Sequence, residues 1–373
     1  MTDCSAYFSE NLRKLRKKMN LTQQKLGDLI GYTEKAISKW ESGASLPPIE
    51  TLILLSDILN VSLDELFSRP SKPEYYLGID GGATHTTFAL GDRNGKILQK
   101  IVLGPSNPFD VGISGATSVI DEGIKLITAG INKRKISLFA GLSGGGSHET
   151  KEMIRAHLDG LGFLKTENGS DSANIISAGL GNGDGAVVVM GTGSACFIKK
   201  GAEDHLRIGG FGYLFDHGGS GYDLGNAAIR SALCAEDGSG EKTLIYDHML
   251  KALKTRTVNE NIFNFYSMGK AGIASFAPVI FDAYSDGDKL AEGILRRNMK
   301  RVAELIVTAG RHFDEQDERV KIVCVGELTK QADILFPMLY SEIERIGEID
   351  RFDISAFDTD VVVGALINAG MPV

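Results

Sequence analysis

The spacing of apolar residues divides the chain into a helical start and a longer mixed part. In residues 6–67 apolar side chains recur every three or four positions, as they do along the buried side of a helix. Helix-capping residues and glycines separate five such runs, which predicts a five-helix bundle. After residue 75, apolar runs of strand length alternate with glycine-rich turns and longer helical patterns, which predicts an α/β region.

The segment RPSKPE at 69–74 separates these two parts. Its two prolines, Pro70 and Pro73, fix the local backbone and favour a stiff linker. We therefore expect a helical domain at 1–68, a linker at 69–74 and an α/β domain at 75–373. A chain of 373 residues is long enough for more than one domain with its own core.

The capping residues of the helical part follow a specific arrangement. Thr22 and Thr33 are predicted N-caps, Gly31 ends the helix between them, and IS-K-WE-SG with a proline pair follows. Residues 21–67 resemble the Cro/C1-type (XRE) helix-turn-helix family, which implies a DNA operator as partner and places residues 33–40 in the major groove. The DNA-binding residues that this resemblance implies are Gln23, Thr33, Glu34, Lys35, Ser38 and Lys39.

A helical dimerisation module with a solvated basic helix is the alternative interpretation of the same segment. One DNA-binding module neutralises few phosphates and binds weakly. We therefore expect a homodimer, which would place two recognition helices about 34 Å apart.

Two glycine turns between apolar strands are the main chemical signal of the second part. They are DGGATHT at 80–86 and GTGS at 191–194. Glycine lets backbone N–H groups approach an anion closely, threonine adds a hydroxyl donor, and Asp80 is suited to hold Mg²⁺ through water. One such turn is equally typical of an ordinary hairpin, but two together predict phosphate binding. The predicted phosphate-binding residues are Asp80, Gly81, Gly82, Thr84, Thr86, Gly191, Thr192 and Gly193.

This pair of turns resembles the actin/hexokinase/Hsp70 ATPase superfamily. The resemblance implies an α/β, two-lobed, ribonuclease H-like fold that closes around ATP and Mg²⁺, here preceded by the small all-α domain. The superfamily also has an adenosine turn after a late strand. Residues 321–325 and Gly326 fit that turn, although Glu327 replaces a second glycine.

Further motifs indicate one branch of this superfamily. GPSN at 104–107, SDS at 170–172, GTGS and the segment GGFGYLFDHGGSGYDLG at 209–225 resemble the N-acetylglucosamine kinase branch, which includes the BadF/BadG/BcrA/BcrD-type ATPases. This branch implies transfer of the ATP γ-phosphate to a hydroxyl of an amino sugar. The sugar-binding residues that it implies are Asn107, Asp171, Ser194, Gly210, Phe211 and either Asp216 or His217, depending on a one-residue slip in the alignment.

Asp171 is the general base that the resemblance implies. A sugar hydroxyl is a poor nucleophile, and a carboxylate that accepts its proton accelerates transfer by ~10²–10⁴-fold. An aspartate that caps a helix or turn is the alternative role for Asp171. We expect a strand at 173–176, directly after this residue, and a glycine-rich loop at 141–147.

Composition and charge limit the remaining possibilities. The net charge is −8, the N-terminus is polar, and no apolar run approaches the roughly 20 residues that span a bilayer. We therefore expect a cytoplasmic protein with no membrane partner. Cys4, Cys196, Cys234 and Cys324 are far apart and form no CxxC pair, which argues against a zinc or iron–sulfur site.

Three functions remain open. The first is an ATP-dependent N-acetylhexosamine kinase that is also a sugar-responsive regulator. The second is a non-catalytic sugar-sensing transcriptional regulator. The third is an ATPase activator of 2-hydroxyacyl-CoA dehydratases, against which the scattered cysteines argue. The ROK family also joins DNA binding to a sugar-kinase fold, but it typically carries a cysteine-rich zinc motif that this sequence lacks.

Overall fold

The computed structural model describes residues 4–19, 21–68, 72–145, 148–201, 206–216, 218–314, 319–346, 349–357 and 360–372. The chain divides into two compact units, Met1–Glu74 and Tyr75–Val373. The predicted linker at 69–74 lies partly outside the described residues, which resume at Lys72. Among the described residues, no helix combines the length and apolar character needed to cross a membrane.

The first unit is the helical bundle that the apolar spacing predicts. Thr22 Oγ1 accepts the N–H of Lys25 at 3.0 Å, and Gly31 ends the second helix with φ +76°. A compact core surrounds Trp40, which is only 4% exposed. The helices of this unit are α1 (Cys4–Lys18), α2 (Gln23–Ile30), α3 (Glu34–Glu41), α4 (Ile49–Leu59) and α5 (Leu63–Phe67).

The described strands of the second unit form two five-stranded sheets with the same topology. In each sheet, three antiparallel strands are followed by two parallel strands on the other side of the first strand. The first sheet has the order β3-β2-β1-β4-β5, and the second has the order β8-β7-β6-β9-β10. This repeat is the two-lobed α/β fold expected from the sequence. The strands are β1 (Tyr75–Gly81), β2 (Thr86–Asp92), β3 (Ile97–Leu103), β4 (Ile136–Leu142), β5 (Lys165–Ser170), β6 (Gly185–Met190), β7 (Ser194–Lys199), β8 (Leu206–Gly209), β9 (Val320–Val325) and β10 (Phe352–Ala356).

The strand register places the two glycine turns at equivalent positions. The β1–β2 pair ends with Gly81 opposite Thr86, and the β6–β7 pair ends with Met190 opposite Ser194. Each turn therefore follows the first strand of its sheet, and the predicted strand–turn–strand arrangement is confirmed in both lobes.

Helices cover the sheets and connect them. They are α6 (Pro108–Ile127), α7 (His148–Asp159), α8 (Asp171–Leu180), α9 (Gly221–Asp237), α10 (Leu244–Leu253), α11 (Ile262–Ser267), α12 (Gly269–Ala274), α13 (Ala277–Ser285), α14 (Lys289–Gly310), α15 (Ala332–Ile346) and α16 (Val362–Asn368). The last helix, α16, packs on α8 and β1, so the C-terminal segment returns to the first lobe.

The predicted strand at 173–176 is wrong, because these residues lie inside α8. Ile176 and Leu180 pack against Val187 and Val323 of the second sheet, while Asn174 contacts the first sheet. A helix that is covered on both sides loses the polar stripe that distinguishes it from a strand, and a short apolar run fits either structure.

The direction of α8 determines on which side of the second unit the two glycine turns lie. Near its beginning, Asn174 contacts Asp80 and Gly141, at the C-terminal ends of β1 and β4. At its other end, Leu180 approaches Gly185, the first residue of β6, and only residues 181–184 separate helix and strand. Such a short connection reverses the chain direction, so β6 runs back toward the beginning of α8. Both glycine turns therefore lie toward the N-terminal end of this helix.

Candidate functional site

The first group of predicted residues surrounds the end of β1. Gly81 leaves no room for a side chain, since a Cβ there would lie 2.3 Å from Ser106 Oγ and 2.4 Å from a methyl carbon of Leu142. The Gly81 carbonyl accepts the N–H of Ser143 at 2.7 Å, and the Gly82 carbonyl accepts that of Ser106 at 3.1 Å. The first glycine turn is thus fixed to the loops that follow β3 and β4.

Asp80 is partly buried at the base of this turn. Its Oδ1 accepts a hydrogen bond from Asn174 Nδ2 at 2.8 Å, and the same amide reaches the carbonyls of Ile79 at 3.2 Å and Gly141 at 3.3 Å. Burial raises the pKa of Asp80, the Asn174 bond opposes this effect, and the nearby charge of Asp171 adds to it. A carboxylate next to a second negative charge would be stabilised by a cation.

This donor set fits Mg²⁺ better than a metal held by protein ligands alone. Mg²⁺ keeps several waters and takes one or two carboxylates together with substrate phosphates. The described part of the chain contains no cluster of three or more His, Cys, Asp or Glu residues suited to a metal ion.

The two threonines of the first turn differ in exposure. Thr84 is exposed, and its Oγ1 lies 2.9 Å from His85 Nδ1. Thr86 is fully buried, and its hydroxyl donates to the Gly104 carbonyl at 2.8 Å and lies 2.8 Å from Ser106 Oγ. Thr84 is therefore accessible to a ligand. Thr86, predicted as a phosphate ligand, is instead placed to hold the hairpin against the loop after β3.

Asp171 and Asn107 both stand at helix N-termini. Asp171 is the first residue of α8, and its Oδ1 accepts the N–H of Ser172 at 2.9 Å. The second carboxylate oxygen has no hydrogen-bond partner within the described ranges. Asn107 caps α6 by accepting the N–H of Phe109 at 3.0 Å, which leaves its NH₂ group available to a ligand. Gly144 of the predicted glycine-rich loop packs against Asn107, whereas residues 146 and 147 of that loop lie outside the described residues.

The second group surrounds the turn after β6. Gly326 adopts φ +114°, and a Cβ there would lie 2.8 Å from the carbonyl oxygen of Met190 and 3.0 Å from Gly191 N. The predicted adenosine turn is therefore packed directly against the GTGS turn. The start of α9 also meets this turn, because the N–H of Gly221 donates to the Gly191 carbonyl at 2.8 Å.

A cavity of about 360 Å³ opens beside the GTGS turn. Backbone of the turn forms one wall, residues after Gly326 form another, and α12 and α13 supply the rest. The mixture of glycine backbone, apolar side chains and a few polar groups suits a nucleoside. The lining residues are Gly191, Thr192, Gly221, Ala271, Ala274, Ser275, Ala277, Pro278, Phe281, Asp282, Glu327, Leu328, Lys330 and Gln331.

Ser194 and Gly210 connect this turn to the segment that follows β8. Ser194 Oγ donates to the Gly218 carbonyl at 2.9 Å, so its hydroxyl fixes the chain before α9. Gly210 has φ +75°, and a Cβ there would lie 3.0 Å from that of Ala195. Both residues therefore shape the loop at 210–216.

Phe211 and Asp216 lie at the two ends of this loop. Phe211 is 63% exposed and faces the Arg207 guanidinium at 5.6 Å. Asp216 Oδ2 accepts the N–H of Gly212 at 3.0 Å, which closes the loop on itself. His217, the alternative to Asp216, lies outside the described residues.

The predicted residues thus form two groups, one at the end of each sheet, on the side of the unit where α8 begins. Sequence reasoning missed Ser106 and Asn174, which hold the first group together. Asn174 follows Asp171 by three positions, and this helical spacing is a usable signal only when 171–180 is assigned as a helix.

In the first unit, α3 presents Glu34, Lys35, Ser38 and Lys39 to solvent, as predicted for a recognition helix. Thr33 caps this helix and accepts the N–H of Ala36 at 3.4 Å.

The side chain of Gln23 forms a hydrogen bond within the first unit. Its Nε2 donates to Glu41 Oε2 at 2.7 Å, and Arg16 donates to the same carboxylate through Nε at 2.5 Å and Nη2 at 3.0 Å. Burial opposes the charge of Glu41, but the bonds from Arg16 and Gln23 lower its pKa overall, while the bond to Glu41 raises the pKa of Arg16. This cluster joins α1, α2 and α3.

Two family models match the chain. Residues 77–369 match the BadF/BadG/BcrA/BcrD ATPase family, and residues 12–66 match a helix-turn-helix family. These matches confirm the predicted fusion of an XRE-type domain with an ATPase-family domain.

Individual proteins resemble each part. An N-acetylmuramic acid/N-acetylglucosamine kinase from Clostridium acetobutylicum is 28% identical over 307 residues, covering 79% of this chain and 98% of that protein. The uncharacterised HTH-type transcriptional regulator YqaE from Bacillus subtilis is 45% identical over 69 residues, covering 18% of this chain and 60% of that protein. The crystal structure of a proposed N-acetylglucosamine kinase from Chromobacterium violaceum superposes with a TM-score of 0.61 at 22% identity, covering 80% of this chain and 99% of that chain. This last likeness supports the fold.

Proposed function

The chain belongs to the BadF/BadG/BcrA/BcrD ATPase family, and from this premise we propose that residues 75–373 form an ATP-dependent amino-sugar kinase. The acceptor is an N-acetylglucosamine-type sugar. The observation that carries the proposal is the arrangement of both glycine turns on the side where α8 begins, with Asp171 at the first position of that helix. The similarity to the Clostridium acetobutylicum kinase along most of both chains supports the choice of acceptor.

The residues of the first lobe prepare the acceptor. Asp171 accepts the proton of the sugar hydroxyl as the oxygen forms its bond to the γ-phosphorus and the bond to ADP breaks. Its free carboxylate oxygen is suited to this role, since the other oxygen is held by Ser172. The NH₂ group of Asn107 orients the sugar.

The remaining groups bind the phosphates and the nucleoside. Backbone N–H groups of residues 81–82 and 191–193, together with the hydroxyls of Thr84 and Thr192, would hold the phosphates. Asp80 would hold Mg²⁺ through water, and bound Mg²⁺ would neutralise phosphate charge. Gly326 and the cavity beside it would take the nucleoside. Ser194, Gly210, Phe211 and Asp216 would complete the sugar site from the second lobe.

The N-terminal domain adds a regulatory role to this proposal. Its recognition helix exposes Glu34, Lys35, Ser38 and Lys39, which are able to reach base edges or phosphates. We infer that the chain is a sugar-responsive DNA-binding regulator as well as a kinase, and that it acts as a homodimer at a two-fold operator.

Sugar-dependent ATP consumption by the full chain, measured with a panel of amino sugars, tests the kinase proposal. The Asp171→Asn variant should lose about 10²–10⁴-fold in turnover while still binding sugar in a thermal-shift assay. Asp247→Asn is the matched control, because Asp247 is also an aspartate in the first turn of a helix, α10, but is exposed away from both groups. An active Asp171→Asn enzyme would refute the assignment of the base.

The same experiment separates the alternatives. A regulator that only senses sugar would show no turnover, yet its affinity for DNA fragments selected from a random pool would change with sugar. The dehydratase-activator role requires accessible cysteines at a dimer interface. Cys196 and Cys324 are buried in β7 and β9, which raises the pKa of each thiol to about 12, so neither is available for a cluster.

A further inference from the structure

A long groove lies between α9 and α14 in the second lobe. Its α9 side consists of Ala227, Arg230, Ser231 and Cys234, which recur at the spacing of one helix face. The α14 side is a second such face, to which Ile294 and Arg297 belong. These two residues and Ala227 line both ends of the groove, so the two ends are continuous. The two parts measure about 560 and 390 Å³, which is enough for a ligand of monosaccharide size.

Two arginines line the wider end, one from each helix. Arg230 belongs to α9 and Arg297 to α14, and both are exposed. Within the described ranges, neither arginine forms a hydrogen bond or an ion pair. The carboxylate at this end, Glu241, likewise lacks an ion-pair partner there. Two unpaired guanidiniums from opposing helices offer the forked donors that bind phosphate in a bidentate manner.

The narrower end of the groove carries both paired and unpaired charges, since Lys300 and Arg297 line it without an ion-pair partner among the described residues. Arg301 Nη1 binds Glu304 Oε2 at 3.3 Å, and Asp223 accepts the Ser220 hydroxyl. Asn298 is only 3% exposed, and its Oδ1 has no donor in the part of the chain that the structure describes. This end therefore adds a further cation, Lys300, to the two arginines of the wide end, of which Arg297 is shared by both ends.

We propose that this groove binds a phosphorylated monosaccharide. The phosphate contacts Arg230 and Arg297, and a hydroxyl or ammonium group of the sugar contacts Glu241. The site is separate from the kinase cleft and is not one of the catalytic groups described above. Identifying this ligand as the sugar phosphate that the chain itself would produce rests on the proposed function. The binding site does not depend on that function.

The groove also reaches the predicted sugar site. Gly218 lines its narrow end and packs against Arg301, with a Cβ at this glycine only 2.7 Å from that of the arginine. The same glycine accepts the hydrogen bond from Ser194. A ligand that extends from Arg297 into the narrow end would touch a segment that positions a predicted sugar-binding residue, which provides a route for regulation.

Cys234 supplies a direct measure of occupancy, because it lines the wide end and is exposed. The thiolate is the reactive form of cysteine, and burial makes Cys196 and Cys324 unreactive. In a Cys4→Ser background, the rate of reaction with N-ethylmaleimide, a neutral reagent, would report on Cys234 in the full chain. Glucose 6-phosphate, glucosamine 6-phosphate and N-acetylglucosamine 6-phosphate are the test ligands, with inorganic phosphate and the unphosphorylated sugars beside them.

We expect at least one sugar phosphate to slow labelling about twofold at a concentration equal to its Kd and about tenfold at ten times that value, as simple occupancy requires. Arg230→Gln and Arg297→Gln should each weaken this protection at least about tenfold, the effect of losing one charge-assisted contact. Arg256→Gln, an exposed arginine outside the groove, is the matched control.

Three results would overturn the proposal. The first is that no sugar phosphate protects Cys234 at 10 mM, roughly the weakest affinity that defines a site. The second is that the groove variants and the control are protected equally. The third is that inorganic phosphate protects as strongly as the sugar phosphates. Labelling in the Asp171→Asn background separates this site from the kinase proposal, because protection there does not require turnover.

Discussion

The buried Arg16–Glu41 pair should control the stability of the DNA-binding unit. Only 9% of the arginine side chain and 4% of the glutamate side chain are exposed. Removing one member of a buried pair leaves an uncompensated charge and costs about 3–5 kcal/mol. A unit of this size is stable by roughly 3–10 kcal/mol. Arg16→Met should therefore remove much of the stability of the unit, or all of it.

Glu41→Gln should also destabilise the unit, because the amide keeps only one of the two acceptor oxygens and leaves the Arg16 charge unpaired. We expect a loss of about 3–5 kcal/mol, the usual cost of breaking a buried pair. In the double variant the unpaired charge left by Arg16→Met is gone, so its loss should be at least about 1 kcal/mol smaller than the sum of the two single losses.

Tryptophan fluorescence during urea unfolding measures these effects in the full chain. Trp40 is the only tryptophan in the sequence and is buried in the core of the first unit, so its signal reports that unit alone. Additive losses, with a coupling below about 0.5 kcal/mol, would refute the argument that the two charges depend on each other.

The same pair predicts an acid dependence. The folded-state pKa of Glu41 is lowered, so its contribution is present above the unfolded value of about 4.3 and is lost as pH falls through the lower folded value. The midpoint for wild type should therefore fall more steeply below about pH 4.3 than that of Glu41→Gln. Parallel pH profiles of the two proteins would contradict this assignment.

Two further predictions test the remaining interfaces. Lys39→Ala should reduce the salt slope of DNA binding by about 1, as loss of one phosphate contact requires. Lys251 is an exposed lysine of α10, and Lys251→Ala should leave the slope unchanged. An unaltered slope in Lys39→Ala would remove this residue from the interface. Gly364→Ala should lower the melting temperature of the second unit, because a Cβ there would lie 1.8 Å from the Asn174 carbonyl oxygen and overpacking costs about 1–3 kcal/mol or more. Gly293→Ala in α14 meets only an arginine side chain at 3.5 Å and should be neutral or stabilising, so equal melting temperatures for the two variants would exclude the close contact.

The helical bundle could be predicted because its signals are local. Caps at Thr22 and Thr33 each satisfy backbone N–H groups within one turn, and both caps are present in the structure. The two glycine turns were predictable for a similar reason, since β1 is a short apolar run that ends at Gly81 and β6 is one that Gly191 follows directly.

The candidate site was less predictable because its supports are distant in sequence. The burial of Thr86 depends on Ser106 and Gly104, some 20 residues away. Motif spacing identifies a hydroxyl but does not determine whether it points to a ligand or to a neighbouring loop. The walls that α12 and α13 give to the cavity beside the GTGS turn carry no motif at all, and only packing brings them to that turn.

The crossing of α8 and α16 limits how the two lobes can close. Each helix follows the last strand of its own sheet, β5 or β10, yet α16 packs against the first sheet and α8 contacts both. Gly364 allows the two helix backbones to approach, and Gly78 does the same for α16 and β1, where a Cβ would lie 2.7 Å from Leu366 N. Contacts this close leave no space for sliding, because packed interiors resist compression. We therefore expect any closure that brings Thr192 toward Asp171, the proposed base, to be a rotation that keeps this crossing intact.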